Sequence, residues 1–455
     1  MNLDFWERHN GSVFSEIISC WKTSTGANTD TRSIQAGNLF FALRGPNFDG
    51  NTFAERALQL GASGVIVDKS IKFKPLQNIF PVDDPLIALQ CLARWQRRNQ
   101  PCTVLGLTGS NGKTTTKELL ARIFPDKDTV WATPGNLNNH IGLPLTLLRL
   151  QPQHRLVILE MGDNQTGDIA LLCEIAEPDY GIITNIGKDH IGFLGTLEAN
   201  AASKAELITA LAPKKPFFLN LDDPNIATFC DSVPTITFAT HQQLRRQADF
   251  WGELSINDPN GIQVAIEHKD YQWEFYTHLP GAYNLSNVLA AVAVGITLGA
   301  NPESIQQGLS AYYPQNNRNQ WITYKNKRVL LDAYNANPSS MEVAIKNFIS
   351  YSQGLTPEPT LAFILGDMLE LGEFSISEHQ NLAALLNQVP LNSVIILIGN
   401  EIQATSNALT KKYYWFPTVE QAAPELPKLL DSVDMVLIKG SRGIALEKLV
   451  LTQKV

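Results

Sequence analysis

Short apolar runs alternate with helix-length segments along most of the chain. In the middle of the chain, the apolar runs lie at residues 103–107, 156–159, 180–184 and 217–219. Strands that alternate with helices in this way are typical of βαβ units, whose strands form a parallel sheet. Ligands of such sheets bind beyond the carboxyl ends of the strands. The pattern therefore predicts an α/β fold with a mostly parallel central sheet and a binding site at one edge of it.

The regions on either side repeat this alternation. Near the N-terminus, apolar runs at 38–42 and 65–67 enclose a helical pattern at 53–60. Beyond the polar, hinge-like stretch 314–319, four more apolar runs alternate with helix-length segments. These runs are 329–331, 361–365, 394–398 and 435–438. Before the hinge, residues 254–277 alternate between apolar and polar, which predicts hairpins at a sheet edge.

The length of the chain supports a division into domains. Its 455 residues exceed the roughly 250 to 300 at which a single core stops growing. We predict an N-terminal α/β domain at residues 1–100, a central domain with the parallel sheet at 101–315, and a C-terminal Rossmann-like α/β domain at 316–455.

Composition narrows the class of protein. With 44% hydrophobic and 18% charged residues, the chain resembles a folded protein with real cores. A net charge of -8 argues against nucleic acid or an anionic membrane as partner, although a local basic pocket for small anions remains compatible. We find neither a signal peptide nor a membrane span, and the five scattered cysteines fit reduced thiols. We therefore expect a cytoplasmic protein, and we expect it to be a monomer.

The strongest local motif follows the first central strand. It reads Gly106-Leu107-Thr108-Gly109-Ser110-Asn111-Gly112-Lys113-Thr114-Thr115, and a helical pattern comes directly after it. In such a phosphate loop, glycines let backbone N–H groups surround phosphate oxygens, Lys113 pairs with the terminal phosphates, and Thr114 can ligate magnesium. Leu107 stands where the general pattern has glycine, so the loop is a variant. An ordinary glycine-rich turn is the alternative, but strand, loop, lysine and helix together favour nucleotide binding.

Other polar residues follow the neighbouring strands. Glu160 comes directly after the run 156–159, which places a carboxylate beside the phosphate loop as a candidate magnesium ligand. Lys188, Asp189 and His190 follow the next strand, and Lys204 and Glu206 come shortly afterwards. Each of these alone would be read as a solvated surface residue. Their grouping predicts a polar site at this edge.

These separated motifs resemble the Mur ligase family over nearly the whole chain. The segment 109–115 is similar to the ATP loop of the family, and 184–187 with Asp189 and His190 is similar to its second metal-site motif. Lys204 matches a lysine that is commonly carbamylated there. The resemblance implies ATP and Mg²⁺ as cofactors. It assigns Thr114 and Glu160 to one magnesium ion, His190 and carbamylated Lys204 to a second, and catalytic roles to Lys113, His190 and Lys204.

Three further stretches are similar to the member of the family that adds D-alanyl-D-alanine. They are 332–338, 366–372 and 439–442, and the Asp-Asn-Pro-Arg tetrapeptide of the neighbouring member is absent. The stretch beginning at 30–33 is similar to the UDP-binding domain of the family, although Asn51 stands where a histidine is common. The resemblance thus implies an ADP-forming amide ligase whose substrates are UDP-N-acetylmuramoyl-tripeptide and D-alanyl-D-alanine, with an acyl-phosphate intermediate.

The resemblance also implies contacts for each substrate. These are Gly109, Ser110, Asn111, Gly112, Lys113, Thr114, Thr115, Asn287, Arg318, Asp332 and Asn335 for the nucleotide, and Thr31, Arg32, Ser33, Asn136 and Asn139 for the UDP-linked substrate. Simpler roles stay open for some of them. The stretch 133–140 could be a turn, Asn287 a helix-start residue, and Arg318 a solvated hinge residue.

Three other functions remain compatible with the sequence. The nearest is another Mur-type ligase or a folylpolyglutamate-type ligase. The second is a phosphate-loop ATPase or nucleotide switch without ligase activity. The third is a binding module that has lost catalysis, against which the presence of Lys113, Glu160, His190 and Lys204 argues.

Overall fold

The structure is a computed structural model that describes residues 3–71, 78–189, 191–211, 215–231, 233–353 and 355–451. Within these residues, three large sheets, each covered by helices, follow one another along the chain, and a two-stranded hairpin accompanies the first. The predicted α/β class is therefore confirmed. Each of the three sheets lies inside one predicted domain, while the limits at residues 100 and 315 stay predictions.

The first sheet is parallel throughout, in the order β1-β2-β5-β6. Its strands, with the small hairpin β3-β4, are β1 Gly26–Asn28, β2 Asn38–Phe41, β3 Arg44–Gly45, β4 Phe48–Asp49, β5 Gly64–Asp68 and β6 Ile79–Val82. Its helices are α1 Leu3–His9, α2 Gly11–Trp21, α3 Ala54–Gln59 and α4 Pro85–Arg98. Asp84 accepts a hydrogen bond from Leu86 N and so starts α4, with Pro85 in the first turn, where the missing N–H has no cost.

The second sheet has nine strands in the order β15-β14-β13-β12-β11-β10-β7-β9-β8. They are β7 Thr103–Thr108, β8 Val130–Ala132, β9 Leu156–Glu160, β10 Tyr180–Ile183, β11 Phe217–Asn220, β12 Thr235–Ala239, β13 Phe250–Asp258, β14 Gly261–His268 and β15 Tyr271–Thr277. All pairs from β8 to β13 are parallel, and β13, β14 and β15 form the predicted antiparallel hairpins at the edge.

Helices of the second unit cover both faces of its sheet. They are α5 Lys113–Leu120, α6 Gly142–Leu147, α7 Asp168–Ala176, α8 Ile191–Leu194, α9 Leu197–Ala210, α10 Pro224–Ala227, α11 Asn284–Thr297 and α12 Pro302–Ser310. The helix α11 is buried almost all round, which its Ala- and Val-rich sequence predicts.

The third sheet has the order β16-β17-β21-β18-β19-β20, and only the edge pair β16-β17 is antiparallel. Its strands are β16 Gln320–Tyr324, β17 Lys327–Asp332, β18 Leu361–Gly366, β19 Val394–Ile398, β20 Tyr413–Phe416 and β21 Met435–Lys439. Its helices are α13 Pro338–Ser352, α14 Ser375–Leu386, α15 Val419–Ala422 and α16 Leu426–Leu429. Short 3-10 helices occur at Gly50–Phe53, Lys127–Thr129, Gln242–Leu244, Gly372–Phe374, Ile402–Ala408, Arg442–Ile444 and Leu446–Leu449.

The first two units share one apolar core, which runs from Leu3 through α4 to α6 and α7. Charged groups reinforce this junction. The Arg94 side chain on α4 is only 2% exposed, and its guanidinium lies 2.7 Å from Asp4, 2.9 Å from Glu7 and 3.6 Å from Glu174. Since α1, α4 and α7 meet at this one cation, it links the N-terminal unit to the central one.

The third unit meets the second through polar contacts at the carboxyl ends of both sheets. Asn337 donates to Asn111 over 3.1 Å, and Lys188 donates to Glu378 over 2.7 Å. Gly192 N donates to Glu370 O over 3.2 Å. The carboxyl ends of the two parallel sheets thus face each other. In the described part of the chain, no helix has the length and apolarity to cross a membrane.

We expect Arg94→Met to lower the free energy of unfolding by about 2 to 3 kcal/mol, because three carboxylates lose their shared cation. The loss is smaller than for a fully buried pair, since the carboxylates are partly exposed. Urea unfolding followed by circular dichroism measures it. The matched control is Arg98→Met on the same helix, whose exposed pair with Glu177 should contribute less than about 1 kcal/mol. Equal losses in the two variants would contradict the linking role of Arg94.

Candidate active site

The phosphate loop closes tightly between β7 and α5. Gly109 has φ +138° and Gly112 has φ +84°, both in the region that favours glycine. A Cβ atom on Gly112 would collide with Oδ1 of Asn287, and one on Gly109 would collide with Thr184. The two glycines are therefore required by backbone conformation and by close packing at once.

The segment after β10 holds this loop in place. Ser110 N donates to Asn185 O over 2.9 Å, and Asn111 N donates to Asn185 Oδ1 over 3.0 Å. Thr184 Oγ1 donates to Asn111 O over 2.6 Å. Because β7 and β10 are parallel neighbours, both ends lie at the same edge and can bond to each other. The shape of the loop thus depends on the next strand of the sheet.

Lys113, Thr114 and Glu160 lie together at this edge. Lys113 Nζ folds back over the loop and donates to Gly109 O. Thr114 Oγ1 lies 3.0 Å and 3.2 Å from the two carboxylate oxygens of Glu160, which is only 2% exposed. A hydroxyl and a carboxylate in contact form a hard oxygen pair of the kind that Mg²⁺ prefers. Mg²⁺ in nucleotide sites needs only one or two such protein ligands, so these residues fit the ion.

Three residues orient Glu160 through contacts that the sequence analysis did not predict, and two of them belong to the stretch 133–140 named there. Asn138 Nδ2 donates to Glu160 Oε1 over 3.0 Å, and Thr133 Oγ1 accepts from Glu160 N over 2.9 Å. The fully buried Lys117 lies 3.7 Å from Glu160 and donates to Thr133 O over 2.8 Å and to Gly135 O over 3.1 Å. Lys117 therefore holds the 133–135 backbone against the phosphate-loop helix. The only signal in the sequence was its place one helical turn after Lys113.

Lys204 lies at the centre of a second buried cluster. Its Nζ is 3.2 Å from both oxygens of Asp163 and 3.4 Å from Asp189, and it also donates to Asn200 Oδ1. Ser203 Oγ donates to Asp163 over 2.8 Å. Among the described residues, the polar partners of Nζ are hydrogen-bond acceptors, so this arrangement fits the ammonium form of Lys204. Asp163, three residues after Glu160, was missed although its place beyond a strand end could have indicated it.

Asp189 connects this cluster to the phosphate loop. Burial alone would raise the pKa of its carboxyl group. The charges of Lys204 and Lys113, with hydrogen bonds from Ser110 and Asn200, outweigh burial and lower the pKa to about 2. The Asp189 carboxylate is therefore ionised at neutral pH and attracts cations to this edge.

Four predicted nucleotide contacts, Asn287 of the second unit and Arg318, Asp332 and Asn335 of the third, line one cavity next to the phosphate loop. Asn287 accepts from Thr116 Oγ1 over 3.3 Å and lies against Gly112. Arg318 stacks on the Tyr334 ring, with Cζ 3.5 Å from the ring centroid. Asp332 accepts from Lys439 over 2.6 Å. The Asn335 side chain bonds to the neighbouring Ala336 N over 2.9 Å.

Of the residues predicted to contact the UDP-linked substrate, two line the cavity and three lie elsewhere. Asn136 and Asn139 line the cavity, and Asn139 Oδ1 also accepts from Gly142 N over 2.8 Å. Thr31, Arg32 and Ser33 lie in the loop after β1 and do not line it; Arg32 instead pairs with Asp30 over 2.6 Å. His190 lies outside the described residues.

One cavity of about 980 Å³ joins these groups. Its walls come from the phosphate loop, from the ends of β9 and β10, from the start of α11 and from the loops after β17, β18 and β21. It therefore lies where the carboxyl ends of the second and third sheets meet, as expected for ligand sites of parallel sheets. Cations, carboxylates and amides in such a cavity can hold a nucleotide and neutralise crowded oxyanions.

Three family models match successive parts of the chain. "Mur ligase family, catalytic domain" matches residues 23–97, "Mur ligase middle domain" matches 107–295, and "Mur ligase, glutamate ligase domain" matches 317–442. Together they span most of the chain.

Individual relatives are similar over nearly the full length. The UDP-N-acetylmuramoyl-tripeptide–D-alanyl-D-alanine ligase of Bacillus subtilis is 34% identical, over 93% of this chain and 92% of the relative. The crystal structure of MurF from Acinetobacter baumannii is 29% identical with a TM-score of 0.84, covering 93% of this chain and 92% of that one. MurF ligase from Thermotoga maritima in complex with ADP is 28% identical with a TM-score of 0.82, covering 94% and 96%.

The close packing at Gly112 leads to a test. We expect Gly112→Ala to weaken ATP binding by more than about 10-fold, because the new methyl group must displace Asn287 and distort the loop. Isothermal titration calorimetry measures the affinity. Gly299→Ala is the control, since Gly299 also has a positive φ of +95° but has no atom within 4 Å of the added Cβ. Unchanged ATP affinity in Gly112→Ala would contradict the assignment of this loop to the nucleotide.

Proposed function

This chain belongs to the Mur ligase family, and on that premise we propose that it joins D-alanyl-D-alanine to UDP-N-acetylmuramoyl-tripeptide. The reaction consumes ATP and yields ADP, phosphate and the pentapeptide precursor of peptidoglycan. The names of the relatives support this choice of substrates.

One observation carries the chemistry of the proposal. The phosphate loop and the strand-end loops of the third sheet line the same cavity. A nucleotide held by the central unit and an amine held by the C-terminal unit can therefore meet there. A phosphate-loop ATPase without a second substrate would not need the third unit to form a wall of the site.

The first step activates a carboxylate. An oxygen of the terminal carboxylate of the tripeptide attacks the γ-phosphorus of ATP, the bond from that phosphorus to the β-γ bridging oxygen breaks, and ADP leaves. Lys113 neutralises the crowded phosphate oxygens, and the N–H groups of 109–115 orient them. Thr114 and Glu160 would hold Mg²⁺, which when bound adds positive charge at the same oxygens.

The second step forms the amide. The free amine of D-alanyl-D-alanine attacks the carbonyl carbon of the acyl phosphate, phosphate leaves with the electron pair of the C–O bond, and the proton released from the nitrogen passes to the departing phosphate. The phosphorylation is needed because an unmodified carboxylate would have to expel oxide. Asn287, Arg318, Asp332 and Asn335 are proposed contacts for the nucleotide, and Asn136 and Asn139 for the peptide substrate.

A second magnesium ion at Lys204 and His190 stays a prediction. In the present arrangement a carbamate on Lys204 would face Asp163 and Asp189, each within 3.4 Å of Nζ, so three anions would crowd together. The residues around Lys204 fit its ammonium better than its carbamate. Asp189 and Asp163 themselves supply the oxygen ligands that a second cation would use.

The first unit is the proposed site for the UDP end, with Thr31, Arg32 and Ser33 as contacts. Since the first and second units share an apolar core, we propose that they hold the UDP-linked substrate and ATP in a fixed relation. The third unit, joined mainly by polar contacts, completes the site on closure. The domain limits, the cytoplasmic location and the monomeric state remain predictions from the sequence.

The direct test is ADP formation with UDP-N-acetylmuramoyl-tripeptide, in the presence and absence of D-alanyl-D-alanine, with the product identified by mass spectrometry. We expect pentapeptide to accumulate in equal amount to ADP. A panel with glutamate, lysine and diaminopimelate in place of the dipeptide separates this ligase from other Mur-type and folylpolyglutamate-type ligases. ADP release that does not depend on any added amine would show an ATPase instead.

Lys113→Ala should lower turnover by about 1,000-fold or more, because the loop loses the ammonium group that neutralises the terminal phosphates. Circular dichroism should show an unchanged fold, since the hydrogen bonds of Lys113 Nζ within the described residues go to Gly109 and Ser110 of its own loop. The matched control is Lys127→Ala at an exposed position outside the cavity, which should turn over normally. Near-normal turnover of Lys113→Ala would refute the role of the loop in phosphoryl transfer.

A further inference from the structure

Three cations of the C-terminal unit line the main cavity: Arg318, Lys439 and Arg442. The charge of Lys439 is already compensated by Asp332. Its Nζ donates to Asp332 over 2.6 Å and to Asn335 O over 3.1 Å, and the side chain is only 2% exposed. Within the described part of the chain, neither arginine has an ion pair, so each is available to an anionic ligand.

The two arginines share one aromatic ring. Arg318 Cζ lies 3.5 Å and Arg442 Cζ lies 5.0 Å from the centroid of the half-buried Tyr334. Two guanidinium groups repel each other, and attraction to the ring offsets part of that repulsion while it restricts both side chains. Tyr334 thereby keeps two positive groups aimed at the cavity.

The surroundings of the two arginines differ. Arg318 is next to Asn319, which donates to Pro280 O over 2.8 Å, so it lies near the start of α11 and hence near the phosphate loop. Arg442 follows Ser441, whose hydroxyl accepts from Leu369 N over 2.9 Å. The backbone that carries Arg442 is therefore tied to the loop after β18, whereas the backbone that carries Arg318 is tied to the segment before α11.

We infer that Arg442 binds the carboxylate of the incoming D-alanyl-D-alanine, with Tyr334 as its positioning residue. This inference rests on the proposed function. While the amine of the dipeptide points at the acyl phosphate, its carboxylate must lie elsewhere in the cavity, and burial without a cation would be costly. A guanidinium offers two parallel N–H donors that match a carboxylate, which an ammonium does not. Lys113 and Arg318 are proposed contacts of the nucleotide and Lys439 is paired with Asp332, so Arg442 is the remaining cation of the C-terminal unit among the described residues that line the cavity.

The test compares Arg442→Gln with wild type in steady-state ADP formation, using D-alanyl-D-alanine and D-alanyl-D-alaninamide, which lacks the negative charge. In wild type, the amide should raise KM by about 10-fold to 100-fold. Arg442→Gln should raise KM for the dipeptide by a similar factor and should no longer distinguish dipeptide from amide. KM for ATP should stay within about twofold, and Arg442→Lys should recover part of the affinity.

The matched control is Arg328→Gln. Arg328 is also exposed and stacked on an aromatic ring of the same unit, 4.8 Å from the Trp321 centroid, but it does not line the cavity. The Arg328→Gln variant should leave KM unchanged for ATP, for the dipeptide and for its amide. Thermal unfolding of the Arg442→Gln and Arg328→Gln variants separates loss of binding from loss of fold.

Two outcomes would overturn the inference. One is an Arg442→Gln variant that still discriminates against the amide as wild type does. The other is a rise in KM for ATP in place of the dipeptide, which would make Arg442 a nucleotide contact. Failure of the proposed function looks different, because wild type itself would then form no ADP in response to the dipeptide.

Discussion

The site depends on one constraint of parallel sheets, that neighbouring strands end at the same edge. In the central sheet, β9, β7 and β10 are adjacent, so Glu160, the phosphate loop and the 184–189 segment are brought together without any long connection. Each then stabilises the next: Asn185 fixes the loop backbone, and Thr114 in the following helix meets Glu160. A change at any one of these strand ends is expected to reach the other two.

At this edge of the sheet, buried positive side chains are paired with buried negative ones. Two buried lysines, Lys117 and Lys204, face the carboxylates of Glu160, Asp163 and Asp189. Buried carboxylates of like charge would otherwise take up protons. For Asp189, the charges of Lys204 and Lys113 outweigh burial and lower the pKa of the carboxyl group to about 2. The site can thus remain strongly polar beneath a bound nucleotide, where water is excluded.

The junctions of the three units suit a site that must open and close. The apolar core shared by the first two units resists movement, because separating them would expose buried side chains. The third unit contacts the second through Ile191 of α8, which packs into the apolar core of the third unit, and through hydrogen bonds and ion pairs such as Lys188 with Glu378. The polar contacts exchange readily with water. Substrates can therefore enter between the second and third units, and binding can draw the two sheets together.

The sequence by itself determined the elements and the local chemistry. Its periodicity predicted the α/β class and the edge hairpins, and the order strand, glycine loop, lysine, helix located the phosphate loop, because these signals depend on neighbours along the chain. It also placed Glu160 correctly at the end of a strand. Six strands of three to five residues were not predicted, the edge strands β1, β6, β8, β16 and β20 and the interior strand β12, since short segments give little periodic signal.

Only the tertiary structure decided which side chains meet across the units. Nothing in the order of residues shows that Lys117 reaches Gly135 and Glu160, that Asp163 and Asp189 surround Lys204, or that Arg318 and Arg442 share Tyr334. The Tyr334 contact with Arg442 joins residues more than a hundred positions apart, and it exists because β17 and β21 are paired in the third sheet. Such contacts are set by sheet order and packing, which a single sequence does not encode in any local pattern.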